Sequence, residues 1–111
     1  MTVQRHESDP QRLRPLWDAE RRELRVGETV VKRFRQRAQN QELILSALEE
    51  DGWPPRIDDP LSPELQQDPK ERLHDTIKFL NRGQLAPLIR FRGDGTGTGV
   101  LWEFVDTSDV S

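Results

Sequence analysis

The chain has 111 residues, enough for one domain with a modest core and too few for a two-lobed enzyme. It contains no cysteine, which excludes disulfides, thiol nucleophiles and thiolate-ligated zinc and suits a reducing compartment. Its net charge of -3 is unevenly spread, with ten Lys/Arg against six Asp/Glu in residues 1–37, one against eight in 38–68, six against two in 69–92 and none against four in 93–111.

Such blocks can orient a molecule toward a polyanion or an acidic partner, or can form a salt-bridged, solvated surface. The mean hydropathy of -0.86 is polar for a globular chain, yet the apolar residues cluster in periodic segments, so a compact domain is expected over 15–105, with flexible tails at 1–14 and 106–111. The opening "MTVQRHESDPQR" has no apolar signal-like region, and no run approaches the roughly 18 apolar residues of a membrane span. A cytoplasmic protein without membrane contact is expected.

From Pro15, "LWDAERRELRVGETVVKRF" carries short apolar groups at Leu16-Trp17, Leu24-Val26 and Val30-Val31-Phe34. Gly27 and the β-branched run Thr29-Val30-Val31 disfavour a helix and predict a small antiparallel meander. "NQELILSALEEDGWP" predicts an amphipathic helix of about three turns. Asn40 is its expected N-cap, Ile44, Ala47 and Leu48 its stripe, flanked by Leu43 and Leu45, and Gly52 with Pro54 its end. "PPRIDDPLSPELQQ" has prolines at 54, 55, 60 and 63 and admits at most a short helix opened by Asp59-Pro60 or Ser62-Pro63.

"DPKERLHDTIKFLNRG" has complete boundary signals. Asp68 is the N-cap, Pro69 takes the first helical position, Glu71 gives a capping-box-like spacing and Gly83 ends the helix, predicted over 69–82. Leu73, Ile77 and Leu80 mark the buried stripe and Thr76 lies beside them. Glu71, Asp75, Lys78 and Arg82 fall on the opposite face, Lys70, His74 and Asn81 on one flank, Arg72 and Phe79 on the other. Phe79 lies off the stripe and either packs under the next element or is an exposed contact residue. "LIRFRGDGTGTGVLWEF" then reads as strand, glycine loop, strand, with Ile89 and Phe91 inward and Arg90 and Arg92 outward.

The loop "GDGTGTG" lacks the Gly-Lys-Ser/Thr end of a P-loop and is followed by a strand instead of a helix. One aspartate and two threonines are too few donors for calcium. A hairpin tip with positive-φ glycines is the expectation. His6 and His74 form no ligand spacing, adjacent Asp58-Asp59 lack the two distinct environments of an acid–base pair, and neither Ser46 nor Ser62 sits in a nucleophile elbow. No enzyme activity, metal or cofactor is therefore expected. Trp17, Trp53 and Trp102 sit within apolar patterns and are expected mostly in the core.

Strands, helix, connector, capped helix and hairpin follow the order of a winged helix-turn-helix domain, an α+β fold. Three stretches, "WDAERRELRVGETVVKRF", "NQELILSAL" and "HDTIKFLNR" followed by "LIRFRGDGTGTGVLWEF", resemble the N-terminal strands, first helix, recognition helix and wing of OmpR-type response-regulator effector domains. "NQELILSALEEDGWPPRIDDPL" and "LIRFRGDGTGTGVLWE" also resemble a recurring bacterial segment, a likeness that implies no activity. The departures from the winged-helix pattern are a proline-rich, acidic 54–67 where that family has a second helix, only one basic residue among Phe79, Asn81 and Arg82, and Glu71 and Asp75 on the face that would meet DNA. No receiver domain lies within these residues, so phosphorylation gating is not implied.

The resemblance implies a double-stranded-DNA-binding module, a transcriptional regulator or nucleic-acid adaptor. Its helix 69–82 would enter a major groove with His74, Lys78, Asn81 and Arg82 as base or backbone contacts, while Lys70, Arg72, Arg90 and Arg92 meet phosphates. Asn suits adenine edges and Arg guanine edges. The alternative is a winged helix used for protein contact, supported by the acidic connector, the mixed-charge helix face and Phe79. No dimerisation heptad is present, and a homodimer remains open.

Overall fold

The computed structural model describes residues 14–63 and 66–105. Its elements are β1 (Pro15–Asp18), β2 (Glu23–Val26), β3 (Thr29–Arg33), α1 (Gln39–Glu50), β4 (Arg56–Asp58), α2 (Pro69–Asn81), β5 (Ile89–Gly93) and β6 (Gly99–Phe104). They make a small α+β domain of two helices and two three-stranded antiparallel sheets, ordered β1-β2-β3 and β4-β6-β5. Most of the tails expected at 1–14 and 106–111, His6 among them, lie outside the described residues. No described helix is long and apolar enough to cross a membrane.

The predicted meander forms, with Trp17 opposite Leu24 and Leu24 opposite Lys32. Asp18 Oδ1 accepts the N–H groups of Glu20 and Arg21 and shapes the first turn, and Gly27 at φ +60° makes the second. A bulge shifts the β2–β3 register between Leu24 and Arg25. An extra residue on one strand breaks the in–out alternation, and here both Val31 and Lys32 are buried.

α1 begins one residue before the expected N-cap. Its cap is Ala38, which has no side chain to accept a bond, and the Glu42 carboxylate reaches back to the Ala38 N–H instead (2.9 Å). Ile44, Leu45 and Leu48 are buried, whereas Leu43 faces solvent. Glu49 Oε1 accepts from the Trp17 N–H at 2.8 Å and from Trp53 Nε1 at 2.9 Å, tying the N-terminal sheet to the end of the helix. There Gly52 and Trp53 are both left-handed, φ +80° and +62°.

The segment after α1 departs from the expectation. Arg56–Asp58 is a strand that pairs with β6, and no helix opens at Asp59-Pro60. Asp59 Oδ1 instead accepts the Leu61 N–H. Glu64 and Leu65 lie outside the described residues, so the short helix expected to open at Ser62-Pro63 does too in part.

One core joins both sheets and both helices. It includes Trp17, Leu24, Val31, Phe34, Ile44, Leu45, Leu48, Trp53, Leu73, Leu80, Ile89, Phe91 and Val100. Trp17 and Trp53 are buried as expected, and Trp102 is half-buried with its Nε1 donating to the Pro54 carbonyl.

Candidate nucleic-acid interface

α2 follows its sequence signals. Asp68 Oδ1 accepts the Lys70 N–H (3.0 Å), Pro69 stands in the first turn, and Leu73, Thr76, Ile77 and Leu80 turn inward. The helix therefore leaves Lys70, Glu71, His74, Asp75, Lys78, Phe79 and Asn81 exposed, with Arg82 just past its end.

The C-terminal end of α2 is held from the other sheet. Lys32 Nζ donates to the carbonyls of Phe79 (2.6 Å), Arg82 (2.7 Å) and Leu80 (3.4 Å). A cation there adds a charged donor to the end of the helix, where Phe79 O also takes the Arg82 N–H and Leu80 O the Gln84 amide, and complements the negative end of the helix dipole. Burial pulls the Lys32 ammonium down to about 8, still protonated at neutral pH, and the carbonyl cage favours the charged form.

The hairpin tip lies beside the first turns of α2. Gly95 and Gly97 take φ +95° and +83°, so two of the four loop glycines serve positive φ as expected. Gly97 is also a close-approach position, because a Cβ there would meet the Lys70 side chain at 2.7 Å. At Gly99 the constraint is space alone, since the Arg56 guanidinium and the Asp94 carboxylate fill the position a side chain would take.

Asp94 Oδ1 accepts from the Thr96 hydroxyl (2.6 Å) and N–H (2.9 Å), and Oδ2 pairs with Arg56 Nε at 2.8 Å. Those groups, the Thr96 hydroxyl foremost, hold the Asp94 carboxyl down at about 2. Between tip and helix runs a groove of about 400 Å³ lined by Lys70, Leu73, His74, Ile77, Gly93, Gly95 and Gly97.

Of the eight residues predicted to meet DNA, four stand on this side in exposed positions: Lys70, His74, Lys78 and Arg82. Among the described residues none of the four makes an ion pair, and Arg82 lies over the Phe79 ring at 5.5 Å. The other four are placed differently. Arg72 is buried, 4% exposed, on the flank of the apolar stripe, which withdraws it from phosphate contact.

Asn81 Nδ2 donates to the Phe91 carbonyl (2.9 Å) while its Oδ1 accepts the Phe91 N–H (2.8 Å). Its amide thus closes the free edge of β5 and is not available to an adenine. Arg90 and Arg92 point outward as expected, but both share Glu103, at 3.8 and 3.5 Å. Phe79 is exposed at 47%, so it is not packed under the hairpin.

Sequence reading missed Lys32, Gln84 and Arg56. Gln84 Nε2 donates to the Ile89 carbonyl (2.9 Å), continuing the cover of the β5 edge that Asn81 begins. A lysine inside the apolar run Val30-Val31-Lys32 was the one available signal for Lys32. Nothing local marked Gln84 or Arg56 for these contacts, because Ile89 and Asp94 are brought to them by the hairpin. Comparison with known protein families, with curated proteins and with solved structures found no match.

Proposed function

We propose that this α+β domain is a winged-helix module that binds double-stranded DNA, with α2 in the major groove and the β5–β6 hairpin as its wing. The observation that carries the reading is the set Lys70, His74, Lys78 and Arg82, exposed along one helix and without ion pairs among the described residues, while Arg25, Arg33, Arg56, Arg90 and Arg92 are matched by carboxylates. Lys70 and Arg82, at the two ends of α2, suit phosphates on either side of a groove, and His74 and Lys78 lie between them on the side that meets base edges. The glycine tip, free of bulky side chains, suits a close approach to a sugar-phosphate backbone. The module would act as a transcriptional regulator or as an adaptor on nucleic acid, in the cytoplasm.

The test is a fluorescence-anisotropy titration with random-sequence duplex DNA at low and physiological salt, beside a Lys78→Glu/Arg82→Glu variant. The reading requires binding that weakens with salt and is lost in the variant. Absence of binding at low salt would overturn it.

A second reading, a winged-helix adaptor that binds protein, rests on Phe79. That ring is exposed beside Arg82 and borders a cavity of about 280 Å³ between the start of α1 and α2, also lined by Arg72, Asp75 and Thr76. Exposed aromatic and arginine side chains are the types enriched at protein interfaces. Under this reading Phe79→Ser abolishes partner binding, whereas under the DNA reading it leaves duplex affinity within about twofold.

A further inference from the structure

The exposed face of α2 contains a feature that simple phosphate attraction does not use. Glu71, His74, Asp75 and Lys78 follow one another at i, i+3, i+4 and i+7, one stripe of the helix, and all four are exposed. Among the described residues neither Glu71 nor Asp75 is in an ion pair, so their carboxylates meet whatever lies against the stripe unneutralised. Against a duplex, phosphates repel them, and only a hydrogen-bond donor on the base edges can offset that repulsion.

The major groove offers two such donors, the N4 amino group of cytosine and the N6 amino group of adenine. Adenine sets its N7 acceptor beside N6, where it faces the second carboxylate oxygen; cytosine has no acceptor on that edge. Its paired guanine presents O6 and N7 alongside, and Lys78, one turn further along the stripe, has only donors to give. Along the axis Glu71 and Asp75 are separated by about 6 Å, roughly two base steps.

Resting on the DNA reading above, we infer that Glu71 and Asp75 are specificity-determining residues that select cytosines about two base pairs apart on one strand, with Lys78 taking a neighbouring guanine. The acids then lower affinity for duplexes in general and restore it only on a matched site. A face with both signs of charge is built for discrimination more than for tight nonspecific binding.

The experiment is a selection from a library of short random duplexes with the full chain, followed by anisotropy on the enriched sequence and its point variants, in parallel for wild type, Glu71→Gln and Asp75→Asn. Both side chains are exposed, so neither substitution removes a packing contact. The inference predicts two cytosines in the enriched site and a loss of roughly 5- to 150-fold for wild type when either C·G pair becomes T·A. Because an amide pairs with adenine, Asp75→Asn is predicted to shift the preferred base at one of the two positions from cytosine to adenine, and Glu71→Gln to do so at the other.

Enrichment without cytosine, or variants that keep the wild-type preference, would overturn the inference and leave DNA binding intact. Failure of any duplex to bind at low salt would overturn both.

Discussion

Asn81 and Lys32 have roles that only the folded chain reveals. A helix residue four positions past Ile77 reads as a surface amide, and Asn81 is exposed, but β5 brings Phe91 within reach of both ends of that amide. Asn81→Ala leaves a strand-edge N–H and C=O without their partner and is predicted to lower stability by about 1–3 kcal/mol in urea unfolding. Lys32→Met leaves the Arg82 carbonyl without its donor and takes a cation from the end of α2, while the Phe79 and Leu80 carbonyls keep the Arg82 N–H and the Gln84 amide; a loss of similar size, about 1–3 kcal/mol, is expected from the same measurement.

Arg72 teaches the same limit, since periodicity located the buried face of α2 but not which flanking residue its neighbours would cover. Asp94 supplies a pH prediction. Its folded-state carboxyl titrates at about 2, below the ordinary 3.8, so it contributes to hairpin-tip stability above 3.8 and the contribution disappears as pH falls through 2. A carboxyl midpoint near 2 by NMR titration, with the Thr96 amide signal moving alongside it, is the expected result; a midpoint at 3.8 would show that the Asp94–Thr96 contact is not held.

Elements were legible wherever their signals are local. Asp68-Pro69 at the start of α2 and Gly83 after it are short-range chemistry, and α2 spans the residues they bracket. Replacing the cap by Asp68→Ala is expected to cost about 0.5–2 kcal/mol of stability, read by urea or thermal unfolding. β4 was not legible, because three residues set between Pro55 and Pro60 carry no alternation of useful length, and their partners are Leu101, Val100 and Gly99. The start of α1 was displaced for a related reason, the reach of Glu42 back to Ala38 outweighing the cap propensity of Asn40. The hairpin was read correctly from its strands, although its tip needs glycine at Gly99 for space and at Gly95 and Gly97 for conformation.

Over the whole molecule, the charge blocks of the sequence resolve into pairs and remainders. Glu23 is held below the usual carboxylate range, first by Arg33 and then by Arg25, Arg56 is shared between Asp94 and Asp58, and Glu103 takes Arg90 and Arg92. Among the described residues of the basic segment 69–92, Lys70, Lys78 and Arg82 stay without an ion pair along α2, with His74 exposed between them. An α+β domain with an N-terminal antiparallel meander and a C-terminal hairpin was legible from the order of its elements; which cations stay unpaired was not, because pairs such as Arg33–Glu23, Arg56–Asp94 and Arg90–Glu103 join residues brought together by the sheets.

Under the proposed function this row, with the hairpin tip beside it, is the surface that meets DNA. The most direct test is to follow backbone amide NMR signals while duplex DNA is added. DNA binding on this surface gives shifts concentrated at Lys70, His74, Lys78, Arg82 and the tip residues Gly95 and Thr96, growing weaker as salt is raised. Shifts confined to Phe79 and the start of α1, or no shifts at low salt, would contradict it.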